Sequence, residues 1–484
     1  MSKSYILYKD IAPGAQEDAA VSSGNGTAFS VPSVLSKENQ IPAYVSLDLN
    51  RWGLNGNYSL LGSNKVAFWS EELSGEDGTF ANPPTIEVAF DNQYSSTGIT
   101  LVFDTYTSQY CPSVMVQWYQ DGALKEEETF SPDSSIYFCQ KSVTSYDKIV
   151  VTLLSTMHPN ERARLNQIIF GINRYFYMDE LRGVRLVNEM DLSALSLPIS
   201  TMTWNLDSHQ DVDFMFQLKQ PVEAWNDNNL IGVYYIDSYI RSAKNLYSID
   251  CYDAIGVLDE SPFAGGYYSD KSAVELLTEI IGETFELVFE VEDTTLNGVL
   301  LPATRREAAQ QVLFAWGVCA STDGGESIRI FSPGEDGEIV GTDRTFPGIS
   351  MDTTAIVTEV RVVAHDYAED GNGSVDIGGV KYSDTKTMYS VVNPDVTANT
   401  KANVIEVDGA TLVSPSIGQA VAQRVYDYYA RRNTERIKVV WNGERLGDAV
   451  TQPTPWGTEA TGNISRMEIK LSNTVVADME ALQM

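Results

Sequence analysis

Histidine and cysteine are scarce in this chain, basic residues are outnumbered, and long apolar runs are missing. Only His158, His209 and His365 occur in 484 residues, and none sits in an HExxH pattern or beside a cysteine pair. Zinc chemistry and His-based nucleophilic catalysis therefore have little to work with, and each histidine reads as a surface or hydrogen-bonded residue. Cys111, Cys139, Cys251 and Cys319 are too few and too scattered for a disulfide framework or a CxxC site, so they read as buried thiols in a reducing cytosol. No run of about 18 apolar residues is present, which excludes a membrane-spanning helix. The opening Met1-Ser2-Lys3-Ser4-Tyr5-Ile6 also lacks the apolar core of a signal peptide. These absences imply a chain made in soluble form, without classical export or stable membrane insertion. Against 33 Lys and Arg stand 66 Asp and Glu, a formal net charge of -33. This balance argues against a phosphate-neutralising grip on nucleic acid, and no specific nucleic-acid binding is expected. The acidity serves solubility, or it keeps moving DNA from sticking to a passage wall.

What is present is enough apolar material for several cores. The hydrophobic share is 43% with 25 tyrosines, and 484 residues exceed what one core organises, so three or four domains are expected. Residues 1–40 are rich in Gly, Ser, Ala and Asp and read as an irregular arm that takes its order from a neighbour. Period-two alternation then follows at Val45, Leu47 and Leu49; Ile86, Val88 and Phe90; Ile99, Leu101 and Phe103; and Val114, Val116 and Trp118. Such alternation marks strands with one buried face, and it places a β-sandwich over 41–172. A first all-β block follows at 173–265. Helical periodicity takes over within 266–348. There Val274, Leu277, Ile280 and Ile281 form a stripe ending at Gly282, and Thr304 with Glu307 makes a capping box closed by Gly317. The sequence Asp323-Gly324-Gly325 reads as a hairpin turn, and Gly334 to Gly341 as an exposed acidic turn. A second β block, 349–484, carries an exposed loop at 366–378 and one helix striped by Ile417, Val421 and Val425.

Catalytic constellations are hard to assemble. There is no GxSxG elbow, no Walker loop and no GxGxxG after a strand. Carboxylate pairs such as Glu126-Glu127-Glu128 and Glu71-Glu72 could serve glycoside hydrolysis, but among 66 acids some pair always exists. No enzyme activity, cofactor or metal is expected. The one candidate ligand surface is aromatic. Trp52 and Trp69 lie in the loop-rich early part of the sandwich, where rings stack on sugars, while packing in the core is their alternative. Trp118, on the alternating face, reads as core.

Three segments, Phe80-Ala81-Asn82-Pro83-Pro84-Thr85-Ile86, Ser96 to Asp104 and Arg162 to Gly171, make the sandwich resemble galactose-binding-like jelly rolls, such as those embedded in tail proteins of phages of Gram-positive bacteria. The ligand residues of those domains vary, so none is carried over. The later chain resembles the phage baseplate hub, or tail-tip (tail-associated), family. That likeness rests on Leu230 to Asp237 followed by Tyr247 to Leu258, on Gln419 to Tyr429, and on Gly447-Asp448-Ala449-Val450 with Gly462 to Lys470. It implies a mainly β multidomain chain: an N-terminal jelly-roll β-sandwich, then two β-barrel tail-tube-like domains with an α/β segment between them. It implies further a homotrimeric, pseudo-sixfold ring at the distal end of a virion tail, assembled in the bacterial host cytoplasm. Its partners would be a distal tail or tail tube protein, a tape-measure protein and tip, spike or receptor-binding proteins. Longer relatives end in a wall-cleaving or fibre domain; the end at Met484 leads us to expect no such hydrolase. The alternative role is a peripheral adhesin whose sandwich binds host cell-wall glycan through Trp52 and Trp69.

Overall fold

A computed structural model describes residues 4–37, 43–44, 64–105, 107–209, 216–322, 324–335, 337–341, 343–397, 399–454, 456–472 and 474–484. The chain is mainly β and falls into two units, Tyr8–Arg174 and Met1–Leu7 with Tyr175–Met484.

In the Tyr8–Arg174 unit a six-stranded sheet runs in the order Gln167–Ile169, Thr85–Val102, Ile136–Leu153, Val114–Gln120 and Ala123–Phe130, with Ala20–Gly24 also paired to Thr85–Val102. All nine alternating residues from Ile86 to Trp118 named above are buried. Burial of that one face is the main source of stability for such a sheet, at roughly 25 cal/mol per Å² of apolar surface. Trp118 is fully buried and meets Phe130 edge-on, with ring centroids 6.5 Å apart. The two longest strands pair with register shifts between Ala89 and Gly98, and such bulges bend a strand around a core. Gly98 takes φ +154°, and a Cβ there would lie 2.3 Å from the Cys139 carbonyl oxygen, so the position admits no side chain. Val45, Leu47 and Leu49 lie outside the described residues.

The stretch expected to be irregular contains regular elements. Ser4–Ile11 is a strand with Ile6 and Tyr8 buried, and Ala20–Gly24 pairs in register from Ala20↔Ala89 to Gly24↔Thr85. The sequence Ala-Val-Ser-Ser-Gly has little strand propensity of its own; its backbone groups are satisfied by the neighbouring strand.

The largest sheet has 13 strands. Its order is Gly171–Tyr177, Ser4–Ile11, Pro221–Asn226, Asn229–Arg241, Leu246–Tyr252, Thr201–Asp207, Leu181–Glu189, Glu459–Leu471, Val476–Gln483, Asn433–Val440 and Ser350–Thr353, with Ala449–Pro453 and Glu338–Ile339 attached beside Glu459–Leu471. Strands of the first and second β blocks thus share one sheet. The seam is antiparallel, from Val184↔Leu471 to Glu189↔Arg466. Along it Arg185 meets Glu468 at 2.6 Å, and Arg466 meets Glu189 at 2.8 Å and Glu480 at 3.2 Å.

Between the blocks, Ala273–Ile281 is capped by Ser272, and Arg305–Trp316 carries the full Thr304–Glu307 capping box and ends at left-handed Gly317. Their apolar stripes share a core with Val421, Ala422 and Val425 of the helix Gly418–Ala430. Cys319–Ser321 and Ile328–Phe331 form the expected antiparallel hairpin.

Three local expectations fail here. The segment 366–378 is largely strand: Glu359–Glu369 pairs with Val380–Val392 as far as Glu369↔Tyr382, and Val375–Ile377 pairs alongside. Backbone pairing needs no apolar side chains, so a polar hairpin escapes a hydrophobicity pattern. In the acidic turn, Glu338–Ile339 pairs in parallel with Ala449–Pro453. Finally, Ala254–Asp259 is a helix, started by the Asp253 carboxylate accepting from the Gly256 N–H at 3.2 Å.

Candidate functional site

Trp69 marks the candidate carbohydrate site in the sandwich, and Trp52 lies outside the described residues. The two-residue strand Phe68–Trp69 pairs with Arg164–Leu165, placing Arg164 opposite Trp69. The indole is only 6% exposed, and the Arg164 guanidinium lies over it at 5.1 Å from the ring centre. Arg164 is itself buried and sits 3.8 Å from the buried Asp104 carboxylate. It also donates to the Gln109 side-chain carbonyl, while the Gln109 amide donates to Glu161 at 2.9 and 3.1 Å. Thr107 donates to Asp104 at 2.7 Å, and Arg162 donates to the carbonyls of Ser70 and Glu71.

This polar cluster ties Ser70 and Glu71, Asp104, Thr107 and Gln109, and Glu161, Arg162 and Arg164 together. Burial pushes the neighbouring Cys111 thiol up to about 12, against the pull of Arg164, so it stays protonated. The recess lined by Gln109, Cys111, Glu161 and Arg164 has roughly 10 Å³ of free space, about what one water needs. In the described geometry Trp69 packs beneath Arg164 and offers no open ring face.

Several of the other residues singled out by chemistry are also engaged. Glu126 and Glu128 each meet Lys141 at 3.3 Å, and Glu127 accepts from Gln117 at 2.6 Å. His365 is buried, with Nδ1 2.9 Å from Asp384 and Nε2 3.1 Å from the Asp408 carbonyl oxygen. All four cysteines are free and buried. Among the described residues no helix is long and apolar enough to cross a membrane, and no group of three His, Cys, Asp or Glu could hold a metal ion.

Sequence reasoning passed over a larger concavity. Three segments at Asn226–Asn229, Trp441–Gly443 and Thr474–Val475 border an open cleft of about 750 Å³. Its signal was asparagine density, in Asn226-Asp227-Asn228-Asn229 and Trp441-Asn442-Gly443. Asparagine clusters read first as turn formers, and no spacing along the chain shows that two of them meet.

No protein-family model matches the chain, and no curated protein matches it in sequence. Solved structures similar to it include phage tail proteins. One is the tail protein from Neisseria meningitidis MC58, at 11% identity and TM-score 0.46, covering 64% of this chain and 94% of that one. Another is the 43 kDa tail protein of prophage MuSo2 from Shewanella oneidensis, at 8% identity and TM-score 0.45, covering 64% and 95%. The family 32 CBM from C. perfringens NanJ, solved in complex with galactose, is similar at 12% identity and TM-score 0.22, covering 34% and 98%. At these identities and scores no residue's role is carried over from them.

Proposed function

We propose that the chain is a non-enzymatic structural hub at the distal end of a phage tail or phage-tail-like particle. In this reading three copies close a ring that joins the tail tube or distal tail ring to the tip and lets DNA or the tape-measure protein pass. The observation that carries it is the seam of Leu181–Glu189 with Glu459–Leu471, which makes one sheet from two β blocks separated by an α/β insert. Two joined blocks per chain, repeated in three chains, supply six wall segments from a threefold assembly. A net charge of -33 per chain suits a wall that DNA must slide past. Partners in this reading are two further copies, the tube or distal tail protein, the tape-measure protein and the tip or receptor-binding proteins.

Light scattering at several protein and salt concentrations tests it. A species near three times 53.4 kDa is the expected result, formed more readily at high salt because the copies repel one another. A chain that stays monomeric at high salt and in the presence of tube protein would overturn the ring.

We propose as a second, compatible reading a peripheral adhesin whose sandwich binds host-wall glycan. Because Trp69 lies under Arg164, this reading falls mainly on Trp52. Glycan-array binding lost on Trp52→Ala would support it, and silence across broad arrays would count against it.

A further inference from the structure

The cleft at the Asn226–Asn229 turn is concave and braced, its lining charges balance, and the side-chain amides of Asn228, Asn229 and Asn442 bond to no other described residue. It is lined by Asn226, Asn228, Asn229, Trp441, Asn442 and Arg445 among others. Its volume, about 750 Å³, is within the roughly 300–1,000 Å³ of small-ligand sites.

The walls are fixed by bonds made through Asn226, Trp441 and the Asn442 backbone. Asn226 donates to the Ser4 hydroxyl at 2.7 Å, and Ser4 donates to the Ser472 carbonyl at 2.6 Å. The Trp441 indole N–H is held by the Glu444 carbonyl at 3.0 Å, and the Asn442 backbone N–H by the Glu444 carboxylate at 2.8 Å. Glu444 in turn pairs with Arg344 at 2.5 Å. By contrast, the side-chain amides of Asn228, Asn229 and Asn442 make no hydrogen bond to another described residue. Each amide offers two donors and an acceptor, and a pre-fixed wall spares a ligand the ordering cost. The lining charges, Asp227 and Arg445, are one of each sign, and Arg445 is also tied to Asp448 at 3.8 Å.

We infer that this cleft binds an uncharged, hydroxyl-rich ligand, namely a neutral saccharide. Hydroxyls both donate and accept, which matches primary amides. A pyranose face suits the Trp441 indole, and the balanced charge gives an ionic ligand no advantage. The inference is independent of the hub reading and places sugar recognition in the unit that does not contain Trp52 or Trp69.

The test uses the full chain, with galactose, glucose, rhamnose and N-acetylglucosamine and their trisaccharides as probes. It is read by saturation-transfer NMR and by tryptophan fluorescence. At least one probe should bind saturably, with Kd about millimolar. Asn228→Ala and Asn442→Ala should each weaken that binding about tenfold, the loss of one or two hydrogen bonds, while Trp52→Ala leaves it unchanged. Absence of binding by every probe would overturn the assignment. So would binding that survives both asparagine variants, and if that binding fell with Trp52→Ala it would belong to the sandwich instead. Asn228 is an exposed turn residue, and Asn442→Ala on a separate turn keeps the test open should the first variant fold poorly.

Discussion

The Arg164 cluster of the sandwich and the Asn228 cleft of the long-sheet unit are both polar, and both hold an indole. They differ in how their hydrogen-bonding groups are used. Around Arg164 the charged and amide groups bond to one another, and about one water's volume is left. Around Asn228 the bracing is done by Ser4, Glu444 and Arg344, while the side-chain amides of Asn228, Asn229 and Asn442 bond to no other described residue. A polar cluster close to an aromatic ring is therefore a poor guide to binding. Where its donors and acceptors are directed decides the matter, because a buried group bonded to the protein is lost to a ligand.

The contrast can be broken most forcefully at Arg164. Arg164→Ala takes the cation from beside the buried Asp104 carboxylate, and we expect a loss of about 3–5 kcal/mol, seen as an earlier urea transition; a loss under about 1 kcal/mol would mean the cluster does not hold the segments together. Asp253 extends the comparison to a spent group inside the long-sheet unit. Burial raises its carboxyl to about 7, and hydrogen bonds from Gly256, Ser200 and Thr322 only partly offset that. A folded-state value above the unfolded one means its contribution is complete below about pH 4 and is lost as pH rises through 7. Asn caps a helix as well and does not titrate. Asp253→Asn should therefore gain on the wild type between pH 5 and pH 8, by on the order of 2–4 kcal/mol, in paired urea titrations. An unchanged gap between the two pH values would count against it.

At the seam, the Arg185 hydrogen bond holds Glu468 down at about 2. That contribution is present above about pH 4.5 and is lost as pH falls toward 2. Because Arg185 is half exposed, Glu468→Gln should lower stability at pH 7 by only about 0.5–1 kcal/mol, less in high salt. The smallest effect belongs to the cleft. Asn228→Ala should shift the unfolding free energy by no more than about 0.5 kcal/mol, since its amide bonds to no other described residue. A larger drop in a thermal melt would show that the amide is spent after all.

Much of this fold was readable along the chain. Alternation at Ile86, Val88, Ile99, Leu101, Val114 and Val116 marked core strands, and all six are fully buried. The Thr304–Glu307 capping box and the Gly317 stop were visible because a helix end is a local event confined to a few residues. The candidate site was far less legible. Trp69 could be found as a ring among loops, but its cover, Arg164, comes from 95 residues later. Asn228 and Asn442 are brought to one cleft from distant turns, and no spacing in the sequence signals that meeting.

The sequence by itself determined the classes of chemistry available, the strand and helix periodicities and the acidic charge, since these depend on composition and near neighbours. Only the tertiary structure decided that Ala20–Gly24 and the polar 366–378 segment become strands, and that two β blocks merge at Leu181–Glu189. It also decided which indole is roofed and which opens on a cleft. Pairing of backbone groups and exposure of side chains are set by what lies across a sheet or a turn, and that neighbour is fixed by the packing of the whole chain.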